Sequence, residues 1–221
     1  AGGLEAWEPT LDGLVARIHL AGDDSPRELV LPVPGEHMAL NALAALIAVR
    51  DYGGDVSEAL EALTHFGGVN RRFQYHGHVG GIRVYDDYAH HPTEARAVLT
   101  AAREVADADA QGLGHPGRVI VCFQPHLFSR TEQFAEEFAK ALDLADYAIV
   151  LDIYGAREKP IPGVTSELIT TQLTIPHKYQ PDFSKVPYDV AAIAEPGDIV
   201  LTMGAGNVTM EADAVIALLK G

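Results

Sequence analysis

The chain has 221 residues, with 31 acidic and 16 basic side chains, a net charge of −15 and a 48% hydrophobic content. That supports one large or two modest domains with real cores. It excludes a protein that grips a nucleic-acid backbone through a basic face, while leaving room for a nucleotide held in one local site.

The opening Ala-Gly-Gly-Leu-Glu has no signal-peptide character and no initiator Met, and it enters mid-pattern, so the chain is expected to be cut from a longer one. Residues 4 to 33 read as β: Glu5–Glu8, Gly13–Leu20 and Glu28–Val33, with turns at Asp12-Gly13 and Gly22–Pro26. Helices follow over Met38–Asp51, stopped by Gly53-Gly54, and over Ser57–Phe66, closed by Gly67-Gly68. The character of the chain changes over residues 69–80. Beyond them strands near 82–86, 118–123, 147–152, 176–180 and 198–203 alternate with helices near 92–107, 130–143, 165–172, 187–194 and 208–220. That alternation implies parallel β with right-handed crossovers. Asp109–Pro116 reads as a solvated loop. The longest apolar stretch, Met38–Val49, falls short of the about 18 residues a membrane span needs. The single cysteine, Cys122, lies in the run Arg118-Val-Ile-Val-Cys-Phe123 and reads as strand core; without a disulfide partner it fits a reducing cytoplasm.

Three strand-to-helix turns carry chemistry. The richest is Asp86-Asp-Tyr-Ala-His-His-Pro-Thr-Glu94, where Pro92 suits the first helical position and Glu94 the positive helix end. Ligands of open α/β sheets bind beyond such strand ends. A solvated, capped turn is the bland alternative. The second is Phe123-Gln-Pro-His-Leu-Phe-Ser-Arg-Thr-Glu132. Ser129 with Glu132 has a capping-box pattern, and Arg130 could grip a carboxylate through two donors or pair at the surface with Glu94 or Glu137. The third is Gly204-Ala-Gly-Asn207, read either as a tight turn or as an anion cradle; the full Gly-x-Gly-x-x-Gly fingerprint is absent, since position 209 is Thr. Asp152 and Tyr154 suggest a functional loop without being diagnostic. No His-x-x-x-His spacing and no P-loop pattern occur, although Asp86, Asp87, His90 and His126 leave an assembled metal site open.

Three stretches together resemble the Mur ligases, ATP-dependent enzymes that add amino acids to the UDP-linked peptidoglycan precursor. They are Gly35-Glu-His-Met-Ala-Leu-Asn-Ala-Leu-Ala-Ala45, Gly68-Val-Asn-Arg-Arg-Phe73 and the turn Asp86–Glu94. Phe123–Thr131 and Pro160-Ile-Pro-Gly163 are similar to the branch of the family that joins L-alanine to UDP-N-acetylmuramate. The resemblance implies an α/β fold: a Rossmann-like C-terminal domain with a mainly parallel sheet over residues 71–221. Residues 1–70, a β-hairpin and helices, would close the central ATP-binding domain. The P-loop and the magnesium ligands would then lie upstream of Ala1.

Carried over residue by residue, the resemblance implies that Asn41 contacts adenine, Arg72 the ATP phosphates and Asp87 the ribose. Tyr88, His90, His126 and Arg130 would line the L-alanine pocket, with Arg130 on the carboxylate. His90 or His126 would take the amine's proton. Met38 departs from the family, which usually has Asn there, and Met cannot make an amide's hydrogen bonds. The implied partners are ATP with magnesium, L-alanine, UDP-N-acetylmuramate and the missing domains. A non-catalytic Rossmann-like module for a nucleotide or amino acid, and a metal hydrolase, are the competing readings.

Overall fold

The computed structural model describes residues 2–10, 13–108 and 116–220. The chain forms two compact units, Ala1–Val69 and Asn70–Gly221. The expected Asp12-Gly13 turn and the 109–115 part of the expected loop fall on or against residues outside the described ones.

In the first unit, β1 (Gly2–Thr10), β2 (Gly13–Leu20) and β3 (Arg27–Leu31) form an antiparallel sheet in that order. Alternate residues of β2, namely Leu14, Ala16, Ile18 and Leu20, turn inward as the two-residue strand period requires. They meet Ala39, Ala42, Leu43 and Leu46, one face of α1 (Glu36–Asp51). Asp55 caps α2 (Val56–Thr64), accepting the N–H groups of Ser57 and Glu58.

The second unit is a six-stranded sheet in the order β4-β5-β9-β6-β7-β8. Its strands are β4 (Gln74–Val79), β5 (Ile82–Asp87), β6 (Val119–Phe123), β7 (Tyr147–Leu151), β8 (His177–Gln180) and β9 (Ile199–Met203). From β5 onward every pairing is parallel. Parallel strands covered on both faces read as unbroken apolar runs, and β6 and β9 are buried at every residue. Side-chain parity then splits the core in two. Val119, Val121, Phe123, Leu201 and Met203 pack beneath α3 (Pro92–Ala108), α4 (Phe128–Leu142) and the short α5 (Glu167–Thr170). Ile120, Cys122, Val200 and Ile149 pack on the other face against α6 (Val186–Ile193) and α7 (Met210–Leu219).

Two expectations change here. Residues 74–79 were not expected as a strand, yet β4 pairs antiparallel with β5. The hairpin between them turns at Gly80 and Gly81, whose φ values of 59° and 84° are those of a two-residue turn open to glycine. The helix expected over 165–172 shrinks to the four residues of α5, flanked by turns at Pro162-Gly163 and at Thr171-Gln172. Among the described residues no helix is long and apolar enough to cross a membrane.

Candidate functional site

The strand order brings the C-terminal ends of β5, β9 and β6 side by side, and the three polar turns leave from those ends. The ladder continues into the turns: Gln124 N–H donates to the Met203 carbonyl at 2.9 Å, and Gly204 N–H to the Asp87 carbonyl at 3.0 Å.

The two carboxylates of the first turn are internal fasteners. Asp86 is fully buried and accepts from Thr202 Oγ1 at 2.7 Å, Thr209 Oγ1 at 2.8 Å and Arg71 Nε at 3.1 Å. Asp87 is 1% exposed; one oxygen takes the Phe73 N–H and the other the Ala89 N–H, each at 2.7 Å. Burial pushes its carboxyl up to about 6, against the opposing pull of those N–H groups and of Arg72. In this conformation Asp87 fastens the turn from a buried position.

Beyond the fasteners the turn becomes exposed. Tyr88 packs under the Arg71 guanidinium at 4.8 Å and the Arg72 guanidinium at 5.8 Å. Arg71 is spent on Asp86 and on the Gly204 carbonyl, so Arg72, which is exposed, is the cation left to meet a ligand. Rings then follow in a row: Tyr88 to His90 at 5.0 Å, His90 to His126 at 5.6 Å and His126 to Tyr154 at 5.7 Å. His91 leaves the row and packs on Phe134 at 5.1 Å. Glu94 accepts the N–H groups of His90 and His91 at 3.0 and 3.2 Å. Burial works against that carboxylate, but these N–H groups, the His90 one foremost, pull it below its ordinary range.

Arg130 lies in the first turn of α4. One of its nitrogens donates to the His90 carbonyl at 3.3 Å and faces His126 Nδ1 at 3.5 Å. No carboxylate pairs with it among the described residues, and Glu94, one of its two expected surface partners, is engaged on the turn instead. Burial, then the charges of His90 and Arg130, push His126 below the ordinary histidine range, with Glu158 opposing.

The expected capping box does not form. The N-cap of α4 is Leu127, at φ 73°, and Ser129 takes a partner from a distant loop: its N–H donates to Glu158 at 2.9 Å and its hydroxyl to the other Glu158 oxygen. The Gly204–Asn207 turn is the tight one: Gln124 Nε2 donates to Asn207 Oδ1 at 2.9 Å, and Gln124 Oε1 accepts the Val208 N–H at 3.2 Å. Cys122 is buried strand core, and burial raises its thiol. Asn41 is exposed on α1 of the first unit. Tyr154, in the loop after β7, extends the ring row; only its aromatic character after a strand end marked it in the sequence.

Among the described residues, no group of three or more His, Cys, Asp or Glu is placed to hold a metal ion. The structure therefore brings Arg72, Tyr88, His90, His126 and Arg130 together on one edge of the second unit, over a scaffold fixed by Asp86, Asp87 and Gln124.

A family model described as "Mur ligase, glutamate ligase domain" matches residues 71–206. The UDP-N-acetylmuramate–L-alanine ligase of Rhodococcus opacus is 55% identical over 224 residues, covering 98% of this chain and 44% of the relative. That of Mycolicibacterium smegmatis is 52% identical over 220 residues, covering 100% of this chain and 44% of the relative. The crystal structure of UDP-N-acetylmuramate-alanine ligase from Thermotoga maritima superposes with a TM-score of 0.79 at 29% identity, over 98% of this chain and 45% of that one. The chain spans less than half the length of the relatives it matches.

Proposed function

The chain belongs to the Mur ligase family, and we propose that it is the amino-acid-docking part of an ATP-dependent ligase joining L-alanine to UDP-N-acetylmuramate in the cytoplasm. One observation carries the reading at the level of chemistry: Arg130, in no close ion pair among the described residues and felt by Glu158 only through its charge, is held in the middle of a row of aromatic and imidazole rings. Its fork suits the carboxylate of a small amino acid, and a charge-assisted pair there orients the amine. The names of the relatives supply the substrate identities.

In this reaction ATP phosphorylates the muramoyl carboxylate, the alanine amine attacks the acyl phosphate, and phosphate leaves. The amine must lose a proton. His90 Nδ1 faces two acceptors, the Tyr88 carbonyl at 2.9 Å and Glu94 at 3.5 Å, so its hydrogen sits on Nδ1 and Nε2 keeps the lone pair. His126 Nδ1 faces an Arg130 donor, so its own hydrogen sits on Nε2. That assigns His90 as the base and His126 to orienting Arg130. Arg72 is assigned to the nucleotide phosphates, Asn41 to adenine, and Asp87 to the ribose once its turn loosens. Magnesium bound with ATP would supply charge neutralisation. The donor set of the described residues does not fit it, so its ligands and the P-loop are assigned to the part of the relatives that this chain does not span.

The test is L-alanine-dependent phosphate release from ATP with UDP-N-acetylmuramate and magnesium, run on this chain alone and mixed with the separately expressed remainder of the ligase. Release only in the mixture is expected. Release by this chain alone, or none in the mixture, overturns the reading. In the mixture, Arg130→Ala should raise the KM for alanine by roughly 10- to 100-fold, the worth of a charge-assisted pair; an unchanged KM removes Arg130 from the pocket.

A further inference from the structure

The loop that follows β7 is fixed more firmly than its exposure explains. Tyr154 is 40% exposed, so its ring adds little to the core. Yet its backbone N–H donates to the Pro125 carbonyl at 2.8 Å, and its carbonyl accepts the Leu127 N–H at 2.9 Å. Its ring stacks on His126 with 22° between planes. The ring also lies close over Gly206, where an added Cβ would come within 2.8 Å of it. Two residues on, Ala156 takes φ 49°, a strained value for alanine. Glu158 ends the turn, its N–H on the Gly155 carbonyl at 2.8 Å and both carboxylate oxygens on Ser129. Gly155 is pressed on the start of α4, where a Cβ would sit 2.7 Å from the Phe128 ring. A polar clasp on α4 thus anchors a loop whose aromatic side chain stands at the end of the ring row centred on Arg130.

We propose that Ser129 and Glu158 form a clasp that seats Tyr154 on His126, and that Tyr154 is the end wall restricting the amino-acid pocket to a small side chain. The proposal rests on the pocket assigned above. An amino acid whose carboxylate sits on Arg130 presents its side chain to the ring row. Tyr154 closes that row, so removing the ring opens space for a larger side chain. Glu158 is a positioning residue: it acts through Tyr154 and touches no substrate.

The reconstituted ligase tests this by steady-state kinetics with L-alanine, L-serine and L-valine. Tyr154→Ala should raise the KM for alanine and shift the valine-to-alanine ratio of kcat/KM upward by about tenfold, the scale on which apolar pockets discriminate. Tyr154→Phe should behave as wild type. Glu158→Ala should reproduce the Tyr154→Ala pattern, with the KM for ATP unchanged. Glu158→Gln should retain wild-type selectivity, since an amide oxygen can accept the Ser129 N–H while its N–H₂ donates to the Ser129 hydroxyl. Wild-type selectivity in both Tyr154→Ala and Glu158→Ala overturns the proposal. A Glu158→Gln variant as impaired as Glu158→Ala assigns the effect to charge and overturns the clasp. A second readout needs no catalysis: nuclear Overhauser contacts between the Tyr154 and His126 rings in this chain should vanish in Glu158→Ala and persist in Glu158→Gln. If the wild-type mixture is inactive while these contacts behave as stated, the functional reading fails and the clasp stands. If the contacts survive Glu158→Ala, the clasp fails whatever the activity.

Discussion

Asp87 makes the stability of the second unit depend on pH in the direction opposite to most carboxylates. Its carboxyl is raised from an ordinary 3.8 to about 6, chiefly by burial. The folded chain therefore binds a proton that the unfolded chain has released between those values, and stability from this group is full below about pH 4 and lost as pH rises through 6. The shift corresponds to about 3 kcal/mol in total, of which about 2 kcal/mol falls between pH 4.5 and 7. Asp87→Asn keeps the shape of the protonated acid and cannot ionise. Urea unfolding of both chains, followed by far-UV circular dichroism at pH 4.5, 6 and 7, isolates the effect because the remaining titrating groups cancel in the difference. Trp7 fluorescence is unsuitable, as the single tryptophan lies in the first unit. The Asn variant should gain on the wild type by about 2 kcal/mol from pH 4.5 to 7. If it instead loses ground as pH rises, the two backbone N–H groups outweigh burial, and Asp87 is an ionised anchor.

Gly206→Ala would place a Cβ 2.2 Å from Gln124 Oε1 and 2.8 Å from the Tyr154 ring. It should cost about 1–3 kcal/mol in thermal unfolding and also disturb the clasp readouts. Cys122, with its thiol raised by full burial, should resist a thiol reagent in buffer and react stoichiometrically in urea; prompt reaction in buffer would contradict its place in β6. Asp55→Ala removes the side-chain cap of α2 and should lower the stability of the first unit by about 1 kcal/mol, read through Trp7.

The inner parallel strands β6, β7 and β9 were legible because they are covered on both faces, so each appears as an apolar run that periodicity cannot hide. β4 was not, and its position explains why. It is an edge strand without an apolar run, and a bulge between Tyr75 and Gly77 breaks its alternation. The helix ends moved where capping came from elsewhere in the chain: Ser129 and Glu132 have the right spacing, but Glu158, 29 residues away, reaches the same N–H first. Spacing rules describe local competition, and a distant carboxylate can win it.

The site divides along the same line. Residue types in single turns, such as His90, His126 and Arg130, could be picked out one turn at a time. What joins the turns could not. Gln124 reaches Asn207 across 83 positions, and Asp86 reaches Thr209 across 123. These fasteners also hold non-glycine residues at positive φ: Arg71 at 61°, Phe73 at 45° and Leu127 at 73°. Each such residue costs about 1–3 kcal/mol and persists only where its surroundings over-determine it. Arg71 is held by Asp86 and the Gly204 carbonyl, Phe73 by Asp87 and by stacking on Tyr85 at 4.5 Å, and Leu127 by Tyr154. Strain at these three residues thus sits beside Arg72, Tyr88 and Arg130, as that of Ala156 at 49° sits in the loop of Tyr154. Loosening any one fastener lets its residue relax, and the ring row should lose its order before the sheet beneath it melts.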